Sequence, residues 1–355
     1  MLRYRLIGFA VGFLLAVAIA GWIGRWRTTP PRVLPESNGE IATVEIQYTR
    51  AAAPDAWPCL KSFLTQLPTS VELIAVCGDE ADAATFRKAA RELPPRKTEV
   101  VVVGTPITGW SKDRFLVAQG RETELVCPAA WPSPLPDRVN DAKVARAIAR
   151  QWPDRFETTQ ADLVFDAGDI LCADTKVLVN DELRAKNPLA ADWLSRVATI
   201  TGRAPVWLKG SPGHHIGMFA APLGDHTVVV GDPDLGQKLW KPEMAKLLGR
   251  ADFTLATTEP FRRAIADLQQ AGFEVVRTPL IPIEPKVYVT YTNGIFEVRG
   301  GEATVYMPSY GVPALDQAAS QAYASAGLNV HPVAVRSVFR CCGTIGCLVN
   351  VLDRD

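Results

Sequence analysis

From residue 41 onward, short apolar runs rich in β-branched residues keep returning, at 41–48, 71–77, 99–103, 163–171, 176–180, 227–230, 287–291, 303–307 and 349–352. Helix-period segments stand between several of them, at 55–66, 80–93, 141–151, 181–197, 260–271 and 313–326. A strand buried on both faces reads as continuous apolar sequence, whereas a helix covering a sheet places apolar residues three and four apart. Alternation of the two predicts an α/β or α+β chain with helices packed on sheets. No second composition shift divides the stretch, so a single domain over 41–355 is expected.

Several function classes drop out on composition. The 38 basic and 38 acidic side chains leave no net charge, and no Lys/Arg block is interleaved with aromatics, so nucleic acid is not expected as a partner. Four histidines and no CxxC or HExxH spacing give no zinc signature. Neither a G-x-G-x-x-G turn nor a Walker-type loop is present, which removes the usual support for nucleotide-binding folds. No metal and no cofactor is expected.

The chain begins differently. Residues 6–24 carry no charge, with Arg3 and Arg5 before them and Arg25 and Arg27 after. At 1.5 Å per helical residue this run covers about 28 Å, close to the hydrocarbon thickness of a bilayer. Residues 1–27 read as a transmembrane anchor, which the length favours, or as a signal peptide ending at the Ala18-Ile19-Ala20 pattern. Either reading puts the body of the protein outside the cytoplasm, membrane-anchored or secreted. Residues 28–40, with prolines at 30, 31 and 35, read as a linker with little reason to fold. In an oxidising compartment seven cysteines, an odd number, leave at least one thiol free or shared between chains.

Glycine-bearing turns at the ends of these runs hold the chemistry. Cys341-Cys342-Gly343-Thr344-Ile345-Gly346-Cys347 sets a thiol after a small turn and before an apolar run, where sulfur could reach a substrate carbon. Gly213-His214-His215-Ile216-Gly217 offers an imidazole for acid–base work. Phe165-Asp166-Ala167-Gly168-Asp169 places two carboxylates beside small residues, and Gly109-Trp110-Ser111-Lys112-Asp113-Arg114 sets Asp113 between two bases. Singly, each reads as readily as structure: a packed cysteine, a turn histidine, an Asx turn, a solvated ion cluster.

In order, W-x-x-D, D-x-G-D, G-H-H-x-G and G-x-x-G-C near the terminus resemble the layout of the guanidine-modifying, or pentein, superfamily. The run Tyr291-Thr292-Asn293-Gly294-Ile295-Phe296, then Met307-Pro308-Ser309-Tyr310-Gly311, a helix and Cys347, resembles the closing module of agmatine deiminases and their peptidyl-arginine deiminase relatives. The resemblance implies a five-bladed β/α propeller of ββαβ units around a central channel. It further implies that Cys347 is the nucleophile, forming a covalent amidino-thioether, and that His215 is the acid and base. Asp166 would orient His215 or touch substrate nitrogens, Asp113 would grip the guanidinium, and Trp110 and Asp169 would be substrate-binding; Tyr291 is either channel lining or core. The substrate would be an arginine- or agmatine-like guanidino or amidino compound, or the arginine side chain of a peptide, deiminated to a ureido product and ammonia.

The physics suits these residue types. A guanidinium is a planar, permanent cation with forked donors that paired carboxylates hold, and its poor electrophilic carbon favours a thiolate. Three departures stand out: Gly217 replaces the aspartate of the family's H-x-D, Asp166-Ala167 replaces Glu-Gly, and the turn before Cys347 lacks the family's glycine run. Loss of a carboxylate at 217 is expected to weaken guanidinium binding by a few kcal/mol unless Asp169 or Asp225 takes its place. An amidinotransferase and a catalytically retired pentein acting as a binding protein are the alternatives.

Overall fold

The computed structural model describes residues 32–120, 122–130, 136–284 and 286–355. The expected membrane segment, 1–27, lies outside these residues; among the described residues no helix is long and apolar enough to cross a membrane.

One pairing pattern recurs. Strand Ile41–Tyr48 lies antiparallel to Val349–Arg354 and parallel to Glu72–Cys77, which continues parallel to Thr98–Val102. Leu116–Gln119, Thr123–Cys127 and Phe156–Gln160 repeat the motif, an antiparallel pair followed by a parallel neighbour. So do Ile170–Cys172, Lys176–Asn180 and Ala204–Leu208, then Ala220–Pro222, Thr227–Asp232 and Glu274–Pro279, then Ile295–Arg299, Glu302–Ser309 and Asn329–Ala334. A parallel neighbour cannot be reached by a tight turn, so each crossover carries helix. Ala53–Gln66, Val144–Gln151, Trp193–Thr201, Leu255–Gln270 and Pro313–Ser325 fill these crossovers. The result is the α/β architecture expected from the alternation.

Glu72–Cys77 is buried along its whole length, as a parallel strand covered on both faces must be. Helix Ala53–Gln66 turns Cys59, Leu60, Phe63 and Leu64 into the core that also holds Leu73 and Ala75. Each such aliphatic or aromatic side chain contributes about 1.5–3 kcal/mol on burial.

Three sequence expectations change. The linker expected over 28–40 joins the fold from Arg32: Arg32–Val33 pairs antiparallel with Leu116–Gln119, Val33 and Leu34 are buried, and Glu36 lies 3.0 Å from Lys112 Nζ. The apolar pair Val33-Leu34, buried against the strand it meets, gives this segment the reason to fold that its proline content hid. The apolar run 163–171 is strand only at Ile170–Cys172; a single 3₁₀ turn, Ala167–Asp169, precedes it, with Asp169 Oδ2 accepting from the Asp166 N–H at 3.2 Å. That local carboxylate bond competes with extension. The helix expected over 181–197 is split into Asp181–Lys186 and Trp193–Thr201 around Pro188, whose missing N–H and ring disfavour continuing the helix.

Candidate active site

Five loops meet, and each is tied to the next. The Ala167 N–H donates to Asp113 O at 3.1 Å. The His215 ring lies against Gly168, where a Cβ would stand 2.7 Å from His215 Cγ. Thr292 Oγ1 donates to Gly217 O at 2.8 Å, and the Gly346 N–H donates to Asn293 O at 3.1 Å. The Lys112 N–H donates to Cys347 O at 3.2 Å and closes the ring.

Within the ring is an open cleft of about 290 Å³ whose walls include Trp110, Asp113, Asp166, Asp169, His215 and Cys347. Every catalytic and substrate-binding residue expected from the sequence therefore faces one space. Asp225 does not; it accepts from Thr175 N and Oγ1, both at 2.7 Å, at an exposed turn. Tyr291 is core, fully buried with its hydroxyl donating to Asp316 Oδ1 at 2.7 Å.

Buried polar bonds lie beside Trp110 and Asp113 in the chain. Asp141 accepts from Thr108 N at 2.8 Å and Oγ1 at 2.6 Å and holds Arg114 Nε at 2.9 Å, while Ser111 Oγ accepts from the Gln47 N–H at 2.7 Å. These contacts fix the loop that presents Trp110 and Asp113.

His215 sits between two carboxylates, with Nδ1 3.3 Å from Asp113 Oδ1 and Nε2 3.7 Å from Asp166 Oδ2. Burial favours the neutral ring, but Asp113, Asp166 and the Cys347 side chain outweigh it and raise its pKa well above the ordinary histidine value. Burial likewise penalises ionised Asp166, yet His215 and Lys186 draw it well below the usual carboxylate range. His214 is the opposite case: burial and the charge of His215 push it down to about 3. Its Nδ1 accepts the His215 N–H at 2.7 Å, so its Nε2 carries the proton toward Lys286 O at 3.0 Å. One histidine is thus held neutral as a bracket, while its neighbour is driven toward the charged form.

Cys347 is 5% exposed. Asn293 Nδ2 donates to its Sγ at 3.4 Å, and Asn293 is itself fixed by Thr344 Oγ1, which lies 2.8 Å from both Asn293 O and Oδ1. Glycine at 343 lets the Trp110 indole close beside the thiol: a Cβ there would lie 2.6 Å from Trp110 Cζ3 and 3.2 Å from Cys347 Cβ. At Gly217, matched in the sequence to the aspartate of the H-x-D pattern it resembles, a Cβ would stand 2.9 Å from Asn293 Nδ2. Asn293 occupies the space an aspartate at 217 would need.

Two cations, unforeseen in the sequence, already sit on the carboxylates. Arg138 Nη2 is 2.6 Å from Asp113 Oδ2 and 3.9 Å from Asp166 Oδ1, and Lys186 Nζ is 2.6 Å from Asp166 Oδ2 and also bonds Asp169. Asp113, Asp166 and His215 have ligand atoms within 4.8 Å of one another, the one such donor group among the described residues. A metal ion there would have to displace Arg138 and Lys186 and also take a ring nitrogen whose proton the two carboxylates favour, so the set fits a metal poorly. No spacing in the sequence marks Arg138 or Lys186. Asn293 does have a signal, since it stands in an Asn-Gly turn after an apolar run, facing two glycines, 217 and 346, that make room for it.

The sequence matches no protein-family model and no curated protein. Its structure matches agmatine deiminase of C. jejuni with a TM-score of 0.67 at 14% identity, covering 90% of this chain and 95% of that one. It matches agmatine deiminase of Enterococcus faecalis at 0.66 and 14%, covering 91% and 96%, and a candidate peptidyl-arginine deiminase at 0.69 and 13%, covering 92% and 99%. The chain has the fold of these pentein deiminases, as the motif order implied.

Proposed function

We propose that the chain is a C–N hydrolase of the guanidine-modifying superfamily that deiminates a guanidino or amidino compound through Cys347. One observation carries the reading: a thiol, a histidine set between two carboxylates and buried carboxylate oxygens share one cleft. Asp166 Oδ1 and Asp169 Oδ1 are buried there with no hydrogen bond of their own, Asp113 Oδ1 faces only the His215 ring at 3.3 Å, and a guanidinium supplies forked donors for such oxygens. On this reading the recurring strand units are five blades of a propeller around the cleft, and the run 6–24 anchors or exports the domain.

The chemistry follows from the geometry. Asp113 and Asp166 orient the guanidinium, and Cys347 sulfur, as thiolate with Asn293 Nδ2 as donor, attacks its central carbon. His215 gives its proton to the departing nitrogen, the C–N bond breaks, and ammonia leaves an amidino-thioether on Cys347. His215, now neutral, takes a proton from water, whose oxygen attacks the same carbon. The C–S bond then breaks as the added hydroxyl gives its proton to solvent, where it meets the released ammonia, and the ureido product leaves with the thiolate restored. The sum is one guanidinium and one water giving one urea and one ammonium.

Ammonia and ureido product released in equal amounts from one member of a guanidino panel, and lost in Cys347→Ser, is the expected result. Release that survives Cys347→Ser would sink the assignment. A second reading, a pentein that binds without turnover, is favoured by the contacts of Arg138 and Lys186 with the same carboxylates; binding with no ammonia release from any member selects it.

A further inference from the structure

The charge on the cleft walls limits what can enter. Asp113, Asp166, Asp169 and Glu182 face Arg138, Lys186, Lys286 and His215 around the same space. The acidic and basic groups are equal in number, and each carboxylate already has a chain cation within 4 Å: Arg138 on Asp113, Lys186 on Asp166 and Asp169, and Lys286 at 3.8 Å from Glu182. A site that receives a bare cation should carry surplus negative charge, because a desolvated cation without its own counter-charge is costly. Apart from the attacking Cys347 sulfur, this cleft has none.

The cations differ in how firmly they are held. Lys186 is shared between two carboxylates and mostly buried. Arg138 makes one close contact, at 2.6 Å, and its Nε is buried without a hydrogen-bond partner. The Lys286 side chain is 60% exposed and only loosely paired. Its backbone holds the left-handed conformation at φ 68°, and its carbonyl accepts a hydrogen bond from His214 Nε2, so the residue is fixed at the cleft while its ammonium stays accessible.

We propose that the site takes a guanidino carboxylate, a compound whose guanidinium and carboxylate cancel, and that Arg138 and Lys286 select it. The inference rests on the deiminase-like reading of the cleft given above. The incoming carboxylate pairs with Arg138 and Lys286, drawing Arg138 off Asp113. The freed Asp113 oxygens grip the guanidinium. Ion pairs are exchanged and the net charge of the cleft is unchanged, whereas a guanidino amine would bring two positive charges against Arg138 and Lys286. Arg138 is thereby a specificity-determining residue, and it also closes the carboxylate pair when no ligand is present.

The test uses the full chain and three probes of nearly equal length that differ at the tail: 4-guanidinobutyrate, butylguanidine and agmatine. Each is titrated as a protectant of Cys347 against 2-chloroacetamidine, read by peptide mapping, with ammonia release followed in parallel. Guanidinobutyrate should protect at concentrations at least roughly ten-fold below agmatine, about 1.4 kcal/mol, with butylguanidine between them. The order should collapse in Arg138→Met and in Lys286→Met, the latter an exposed position where folding is not at risk. Protection by agmatine equal to or better than guanidinobutyrate, an order unchanged in both variants, or no protection by any probe overturns the proposal. The hydrolase reading is judged separately. Protection in the stated order without ammonia keeps the ligand class and removes hydrolysis, and faster hydrolysis of agmatine keeps hydrolysis and removes the ligand class.

Discussion

Glu45 gives the sharpest physical prediction. It lies on the buried strand Ile41–Tyr48, fully enclosed, with neither carboxylate oxygen hydrogen-bonded. Burial, with a smaller push from Asp141 and an opposing pull from Arg114, raises its pKa from 4.5 to about 8. Between those values the folded protein holds a proton that the unfolded chain has released. Stability must then fall as pH rises, by about 1.4 kcal/mol per unit. The loss is absent below pH 4.5, reaches about 3 kcal/mol at pH 7 and levels off near 5 kcal/mol above pH 8. Glu45→Gln keeps the shape and cannot ionise. Urea denaturation of both proteins from pH 4 to 8.5 should show the variant's relative stability constant at the acid end and climbing through neutrality to that extent. A difference that stays flat across the range, or declines, would refute the reasoning, whatever its absolute size.

Other substitutions follow from single contacts. Gly217→Asp, which restores the family's motif, should destabilise by about 1–3 kcal/mol because its Cβ meets Asn293 Nδ2 at 2.9 Å, and Asn293→Ala in the same chain should recover most of the loss in thermal melts. Gly168→Ala should slow Cys347 alkylation by chloroacetamidine at least roughly ten-fold, because its methyl displaces the His215 ring. A raised histidine pKa contributes stability that is fully present below about 6.5 and fades as pH rises through the folded value; Asp113→Asn should move that fading, and the alkaline limb of Cys347 reactivity, to lower pH. A chain beginning at Ile41 should lose about 3–6 kcal/mol against one beginning at Arg32, since Val33 and Leu34 leave the core.

The parts of the fold and site legible in the sequence are those written in local pattern. Fully buried parallel strands such as Glu72–Cys77 stand out because both faces are apolar. Phe156–Gln160 and Ala204–Leu208, half-exposed edge strands reading Phe-Glu-Thr-Thr-Gln and Ala-Pro-Val-Trp-Leu, carry no such mark; pairing with Thr123–Cys127 and Lys176–Asn180 makes them strands. The cleft residues Trp110, Asp113, Asp166, Asp169, His215 and Cys347 stood out through glycine turns and their order along the chain. Arg138 and Lys186 did not, because a cation's partner is set by tertiary approach: Arg138 reaches Asp113 across 25 positions and Lys186 reaches Asp166 across 20. Those two side chains convert a site that reads as a cation grip into a charge-balanced one.

On the proposed reading, Cys347 and His215 form a reactive pair beside a guanidinium-binding wall. The measurement that meets it most directly compares 2-chloroacetamidine with neutral chloroacetamide by intact mass and peptide mapping. Saturable, preferential labelling of Cys347 by the amidine, ahead of the more exposed Cys341 and Cys342 and strongly reduced in His215→Ala, is the expected result. Equal labelling by the two reagents, or amidine labelling that is indifferent to His215, would contradict it.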